Sequence, residues 1–84
     1  MITMTTQTDF TIEQLRKLIE PYVSEPMDEI SDDDYLLDAG IDSITIMSVV
    51  EELRQQGILV TFIQMADNPS IKAWHGLIKE QLAK

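Results

Sequence analysis

The sequence predicts an all-α fold: a four-helix bundle with three main helices, a short third helix and a long first loop. Three observations support this prediction. Apolar residues recur at three- and four-residue spacing in separate segments, and each segment begins with a residue that can cap a helix. The one short apolar run that could form a strand has no second run to pair with. The 84 residues are enough for one domain.

The first helix is predicted over residues 11–20. Thr11 and Gln14 have the spacing of a capping box, and apolar residues follow at helical spacing. Pro21 lacks an N–H and crowds the preceding turn, so it should end or kink this helix. Residues 1–9 are polar and lack the basic and apolar regions of a signal peptide. We expect them to be a flexible N-terminal segment that precedes a domain of residues 10–84.

Residues 24–42 are predicted to form a long loop. Eight of the chain's 15 acidic residues lie from Glu25 to Asp42, with no Lys or Arg among them. Long connections in small domains are usually functional or disordered. We expect this loop to be ordered, with a helical turn near residues 32–37, because it contains apolar residues that could contact the core. These residues are Met27, Ile30, Tyr35, Leu36, Leu37 and Ile41.

The second helix is predicted to begin at Asp42 or Ser43, since either side chain can accept a hydrogen bond from a free N–H. Its end is expected at Gly57, a residue type that commonly follows a helix. Ile44 and Met47 lie at the edge of its apolar face, so they are either partly exposed near Ser43 or part of the core. The face predicted to contact the core consists of Ile46, Val49, Val50 and Leu53.

Two further helices complete the predicted bundle. Thr61 and Gln64 form a second capping box, which opens a short helix through about Ala66. The turn residues that follow break this helix, and Ser70 is expected to cap the last one. The apolar stripe of the last helix consists of Ile71, Trp74, Leu77, Ile78 and Leu82.

The formal net charge is -9. Such a charge argues against binding to nucleic acid or to an anionic membrane, and it favours basic protein partners. The acidic loop is therefore either a solvated surface or a docking field around Ser43. No apolar run approaches the roughly 20 residues that cross a bilayer, and we expect a soluble, cytoplasmic protein.

Metal chemistry finds little support in the sequence. The chain has no Cys, and therefore no disulfide, no thiolate metal site and no thiol of its own. An EF-hand loop needs glycine at its sixth position and glutamate at its twelfth. Counted from Asp32, those positions hold Leu37 and Ser43, so the sequence predicts no metal site.

Three roles can be considered for the Ser43 hydroxyl: catalytic nucleophile, helix cap and attachment site. A nucleophilic serine needs a base oriented by a third group, whereas His75, the only histidine, lies beside Trp74 in the last helix. A catalytic pair is therefore not favoured. An exposed serine at a helix start is either a structural cap or a site for attaching a phosphate group, which free N–H groups and the helix dipole would stabilise. The residues alone leave both readings open.

Residues 37–44 read Leu-Asp-Ala-Gly-Ile-Asp-Ser-Ile. This segment resembles the phosphopantetheine attachment motif of the acyl and peptidyl carrier proteins, which has an apolar residue, Gly, an apolar residue, Asp, Ser and an apolar residue. The resemblance extends from about Phe10 to Leu82. Residues 68–74, Asn-Pro-Ser-Ile-Lys-Ala-Trp, are similar to the start of the last helix in aryl carrier domains of siderophore assembly lines.

The resemblance implies a free-standing aryl or peptidyl carrier protein of non-ribosomal peptide biosynthesis, including siderophore biosynthesis. A phosphopantetheinyl transferase would attach 4'-phosphopantetheine to Ser43, with Asp42 in the docking and metal environment of that enzyme. An adenylation enzyme would load an aryl or aminoacyl group as a thioester, and a condensation domain or another acyl-accepting domain would take it. The carrier itself would be a monomer without catalytic activity. The implied partner contacts are Ile44, Met47, Phe62, Met65 and Ala66.

Two other functions remain open. An acyl carrier of fatty-acid or polyketide synthesis usually has acidic second and third helices; Glu51 and Glu52 fit this pattern, but the predicted third helix has no acid. Efficient loading by a malonyl transferase would favour that function. An unmodified acidic helical adaptor, in which Ser43 is only a helix cap, would bind its partner without any prosthetic group.

Overall fold

The computed structural model describes residues 10–83, which form helices and short turns but no strand. The helices are α1 (Ile12–Ile19), α2 (Ser43–Gln55), α3 (Phe62–Asp67) and α4 (Ile71–Leu82). Three short 3₁₀ turns, Glu20–Tyr22, Met27–Glu29 and Leu36–Ala39, lie between α1 and α2. The predicted all-α bundle is confirmed, while the expected flexible segment, residues 1–9, lies outside the described residues. None of the described helices is long and apolar enough to cross a membrane.

The starts of α1 and α3 are capping boxes, as predicted. Thr11 Oγ1 accepts a hydrogen bond from the Gln14 N–H at 3.1 Å, and the Gln14 side chain accepts one from the Thr11 N–H at 2.7 Å. Thr61 and Gln64 make the same pair of bonds at α3, and Ser70 Oγ caps α4. These bonds satisfy N–H groups that have no partner within the helix, so local sequence decides where each helix begins.

Proline ends α1, and glycine ends α2. After Ile19 the chain tightens into a 3₁₀ turn that contains Pro21, which has no N–H to continue the helix. After α2, Gly57 has a φ of 84°. Its N–H donates to the Arg54 carbonyl, and the next N–H along the chain donates to the Leu53 carbonyl, both at 2.9 Å. This is the Schellman arrangement, whose left-handed residue favours glycine.

One apolar cluster fills the space between the helices and the long loop. Trp74 of α4 is completely buried in it, and the indole N–H donates to the Met65 carbonyl at 2.8 Å. The ring therefore buries its large apolar area while its one polar atom keeps a partner. On the predicted core face of α2, Ile46, Val49 and Leu53 are buried and Val50 is half-buried.

The long loop is ordered, as expected, and is held from two sides. Arg16 of α1 donates to the Asp32 carboxylate at 2.7 Å and to the Met27 carbonyl at 3.1 Å. From the other side, the Leu36 N–H donates to the Pro69 carbonyl at 2.7 Å. The loop side chains buried in the core are Ile30, Leu36, Ala39 and Ile41.

Two details of the predicted loop are wrong. The side chains of Tyr35 and Leu37 are exposed, because only Leu36 between them enters the core. The helical turn spans Leu36–Ala39 instead of residues 32–37. The earlier residues form a tight turn, in which the Ser31 N–H donates to the Asp34 carboxylate at 2.9 Å.

Candidate functional site

Ser43 is the first residue of α2, and it is exposed. The residue before it makes the cap: Asp42 Oδ1 accepts a hydrogen bond from the Thr45 N–H at 2.9 Å. The main-chain carbonyl of Asp42 accepts the first helical bond, from the Ile46 N–H, also at 2.9 Å. Of the two residues that could cap α2, Asp42 does so, and the Ser43 hydroxyl is not needed to hold the helix start.

The carboxylate of Asp42 is stabilised in its charged form. Hydrogen bonds from the main chain of Thr45 and then from its side chain lower the pKa of Asp42 below its ordinary value. A negative charge at this position also interacts favourably with the positive end of the α2 dipole. Asp42 is therefore ionised at neutral pH, directly before Ser43 in the chain.

A glycine turn leads the chain from the long loop to Ser43. Gly40 has a φ of 100°, in the left-handed region that glycine adopts without steric cost. The N–H groups of Gly40 and Ile41 both donate to the Leu36 carbonyl, and the Ile41 side chain is buried. Because Ile41 is anchored in the core, the chain emerges at Asp42 and places Ser43 on the surface.

Exposed apolar side chains follow Ser43 along α2. Ile44 is 76% exposed and Met47 is 60% exposed. Of the two alternatives left open by the sequence, the structure supports exposure near Ser43. Large apolar side chains that stay in solvent on one surface of a small domain are typical of contact sites.

Only part of the contact set predicted on the third helix is accessible. The prediction that Met65 contacts partners is wrong, because the side chain of Met65 has no exposed area. Phe62 and Ala66, the other two predicted contacts, are half-buried against the core. The three residues are spaced i, i+3 and i+4, so they share one face of the helix, and that face packs inward.

The sequence did not lead us to predict two exposed apolar residues, Ile63 in α3 and Leu59 just before it. Their exposed fractions are 77% and 62%. The signal for Ile63 was available, since it lies off the face that Phe62 and Met65 share. Leu59 lies in an extended connection, where its two neighbours are buried and its own side chain points to the opposite side. We call the four exposed residues, Ile44, Met47, Leu59 and Ile63, the apolar rim.

Other polar residues considered for chemistry have structural partners. His75 Nε2 lies 2.8 Å from the Phe10 carbonyl, so the histidine holds the start of the described chain instead of serving Ser43. In the acidic loop, Asp34 closes a turn by accepting hydrogen bonds from Ser31. Across residues 10–83, no group of three or more His, Asp or Glu side chains is arranged to hold a metal ion.

A groove of about 700 Å³ lies between the start of α1 and the end of α4. Its walls combine apolar side chains with Arg16, Asp32 and Lys79. None of the predicted site residues lines this groove; Ser43, Ile44 and Met47 are instead exposed on α2.

A family described as "Phosphopantetheine attachment site" matches residues 13–78, from α1 into α4, including Ser43. The chain belongs to this family. Domains of this family carry 4'-phosphopantetheine covalently, so the predicted carrier family and its prosthetic group are confirmed.

Several relatives are similar to most of this carrier chain. Isochorismatase of Bacillus subtilis is 42% identical over 69 residues, which are 82% of this chain and 22% of that protein. Enterobactin synthase component B of Escherichia coli is 37% identical over 68 residues, 81% of this chain and 24% of that protein. Pyochelin synthetase PchE of Pseudomonas aeruginosa is 38% identical over 73 residues, which are 83% of this chain and 5% of that protein. The chain thus spans less than a quarter of the length of these relatives.

The residues at the start of α2 fit the prosthetic group. The Ser43 side chain is on the surface, where a modifying enzyme can reach it. The cap is supplied by Asp42, so a substituent on Ser43 Oγ would not remove the hydrogen bond that holds the first turn.

Proposed function

We propose that this chain is an aryl or peptidyl carrier, which holds an aryl or aminoacyl group as a thioester on 4'-phosphopantetheine attached to Ser43. One observation carries the proposal: Ser43 is exposed at the start of α2 and is released from capping by Asp42. The family match, which is defined by phosphopantetheine attachment and includes Ser43, supports it.

Attachment requires Ser43 Oγ to attack coenzyme A under the control of a phosphopantetheinyl transferase. The bond from Oγ to the phosphorus nearer the pantetheine forms as the pyrophosphate bond breaks, and adenosine 3',5'-bisphosphate leaves. The hydroxyl proton passes to a base on the transferase. When bound, the group supplies a thiol, which this cysteine-free chain lacks.

Asp42 is proposed to contribute to the docking and metal environment of the transferase. Its carboxylate is ionised at neutral pH and lies on the surface beside the reacting residue. Carboxylate oxygens are preferred ligands of hard divalent cations such as Mg²⁺. One carboxylate oxygen is already bonded to the Thr45 N–H, so the other is the better candidate for a contact with the enzyme.

An aryl cargo is supported by two features. Residues 68–74 resemble the start of the last helix in aryl carriers, and in this structure Ser70 caps α4 while Trp74 is buried. A phenyloxazoline synthase of Mycobacterium sp., whose name includes a phenyl group, is 45% identical over 49 residues, which are 58% of this chain and 4% of that protein. We therefore propose an aryl group as the cargo. We also propose that an adenylation enzyme loads the carrier and that a condensation domain accepts the group. In this proposal the carrier is cytoplasmic and monomeric, and it catalyses nothing itself.

Partners are proposed to contact the apolar rim together with the half-buried Phe62 and Ala66. The acidic loop that precedes Ser43 favours partners with basic surfaces, which its field would attract. Apolar contact would then supply affinity after this charge-guided approach.

The first test is mass spectrometry after incubation with coenzyme A and a broad-specificity phosphopantetheinyl transferase. We expect the protein to gain one phosphopantetheinyl group, Ser43→Ala to gain none, and Ser48→Ala, a matched change on the same helix, to gain one. An unchanged wild-type mass, or equal modification of Ser43→Ala, would refute the proposal.

Loading assays then separate the classes of cargo. Aryl acids and amino acids offered with their adenylation enzymes distinguish an aryl from a peptidyl carrier. Efficient loading by a malonyl transferase would favour a fatty-acid or polyketide carrier. Partner binding by the unmodified chain at full strength would favour the adaptor.

A further inference from the structure

The two ends of the long loop are joined at Ser24. Its main-chain N–H donates to the Ala39 carbonyl at 2.8 Å, and its side-chain Oγ donates to the same carbonyl at 3.1 Å. A carbonyl oxygen has two lone pairs, so both acceptor positions of Ala39 are used by one residue. Residues 15 positions apart in the sequence are thereby held together immediately before the turn that leads to Ser43.

The side chain of Ser24 also fills the space beside Gly40. A Cβ added at Gly40 would lie 2.7 Å from Ser24 Oγ and 3.0 Å from Ser24 Cβ. Gly40 has a positive φ of 100° as well, so a larger residue would be strained in its backbone and would collide with Ser24. Ser24 and Gly40 therefore fit each other closely.

Every residue between this contact and Ser43 is held in place. The Ala39 side chain is buried, and the N–H groups of Gly40 and Ile41 share the Leu36 carbonyl. Ile41 is buried in the core, and Asp42 caps α2. These contacts form a continuous series from the Ser24–Ala39 hydrogen bonds to the first turn of α2, through four consecutive residues, 39–42.

We propose that Ser24 is a positioning residue for Ser43: by holding the Ala39 carbonyl and packing against Gly40, it fixes the direction in which the chain presents the Ser43 hydroxyl. This inference rests on the proposed attachment of phosphopantetheine to Ser43. Ser24 does not touch the reacting atoms; it acts through the Ala39–Asp42 segment.

The first experiment compares Ser24→Thr with Ser24→Val. Threonine and valine have nearly the same shape, and each has one more carbon branch than serine; threonine keeps the hydroxyl, whereas valine has a methyl group in its place. With coenzyme A and a broad-specificity transferase, we expect kcat/KM for modification of Ser43 to stay near the wild-type value in Ser24→Thr. In Ser24→Val it should fall about fivefold, the factor that corresponds to one lost neutral hydrogen bond. All assays are run at a temperature where each variant is fully folded.

Amide hydrogen exchange provides a readout that a general loss of stability would not reproduce. Compared with Ser24→Thr, Ser24→Val should show about fivefold faster exchange at the main-chain N–H of Ile41. Exchange at the main-chain N–H of Trp74, in α4, should be the same in both variants. Ser70→Ala is the control for loss of a serine hydroxyl elsewhere in the chain, because Ser70 Oγ accepts the Ala73 N–H at 3.1 Å at the start of α4. We expect Ser70→Ala to leave kcat/KM for Ser43 unchanged.

A double-mutant cycle tests the contact between Ser24 and Gly40. Gly40→Ala should reduce kcat/KM strongly, and adding Ser24→Gly should recover part of that loss because it removes the two nearest colliding atoms, Oγ and Cβ, while the main-chain nitrogen at 3.1 Å stays. Additive effects of the two substitutions would overturn the inference, as would equal rates for Ser24→Thr and Ser24→Val.

The outcomes separate this inference from the proposed function. If the wild-type protein gains no phosphopantetheinyl group, the proposed function fails. If the wild type is modified but the hydroxyl at position 24 has no effect on rate or on exchange at Ile41, the proposed function stands and the positioning role is refuted.

Discussion

Asp42 and Ser43 are neighbours with separate tasks. Asp42 accepts the Thr45 N–H and holds the first turn of α2, whereas the Ser43 side chain is left on the surface. Because the cap is separate from Ser43, the attachment that we propose at Ser43 would leave the hydrogen bond that caps α2 intact. The same carboxylate places a negative charge beside the helix N-terminus, where the dipole stabilises it.

We predict that the stabilising effect of Asp42 depends on pH. Its folded-state pKa is lowered, so its contribution to stability is fully present above the ordinary pKa of an aspartate, near 4. That contribution is lost as the pH falls through the folded-state pKa. Asp42→Asn keeps an oxygen that can cap the helix but removes the charge. Urea unfolding should show the wild type to be more stable than Asp42→Asn at pH 7, with the difference shrinking below about pH 4. A difference that is the same at both pH values would contradict this.

The helix α3 shows how a single element divides its residues between core and surface. Met65 is completely buried and its carbonyl accepts the Trp74 indole N–H, while Ile63 is almost fully in solvent. In six residues the helix therefore both closes the core and presents part of the apolar rim. Its single acid, Asp67, is its last residue and lies beyond the predicted end at Ala66.

We predict that a substitution at Ile63 impairs contact with partners, whereas a substitution at Met65 impairs stability. Ile63→Asp should leave the free energy of unfolding nearly unchanged, but it should reduce transfer of the loaded acyl group to the proposed condensation partner, because it places a charge in the apolar rim. Met65→Ala should lower the free energy of unfolding by about 2–5 kcal/mol, the usual cost of truncating a buried methionine. Urea unfolding and an acyl-transfer assay on the loaded protein measure the two quantities. Wild-type transfer by Ile63→Asp would remove Ile63 from the contact surface.

At the scale of the whole molecule, polar contacts between distant segments hold the long loop and the helices together. Arg16 ties α1 to the loop through Asp32 and the Met27 carbonyl. The Tyr22 hydroxyl, just after α1, donates to the Glu52 carboxylate on α2. These contacts join segments that the apolar core alone would hold with less precise geometry.

We predict that the Tyr22–Glu52 contact is lost in alkali. The hydrogen bond to Glu52, followed by desolvation, raises the pKa of Tyr22 above its ordinary value of 10.0. Its contribution to stability is therefore fully present below pH 10 and is lost as the pH rises through the raised pKa. Tyr22→Phe should cost about 1 kcal/mol of unfolding free energy at pH 7 and progressively less above pH 10. Tyr35→Phe, at an exposed position, controls for general effects of alkali. A cost for Tyr22→Phe that does not change with pH would contradict the prediction.

The sequence alone was sufficient for the order of the helices and for most of their ends. Each signal that defines a helix end acts within a few residues of that end. These signals are the capping boxes at Thr11 and Thr61, the cap at Ser70 and the left-handed backbone conformation of Gly57. Such local hydrogen bonds can be read from spacing, because both partners lie close together in the chain. The attachment motif was readable for the same reason, since Gly40, Asp42 and Ser43 form one short segment.

Only the tertiary structure decided which side chains remain in solvent and what holds Ser43 in place. The burial of Met65, the exposure of Tyr35 and Leu37, and the contact of Ser24 with Ala39 and Gly40 depend on partners that lie elsewhere in the chain. Periodicity predicts that a helix has an apolar face, but burial is a property of the packed neighbours. The sequence therefore determined where the helices and the proposed attachment serine are, and packing determined the surface that surrounds that serine.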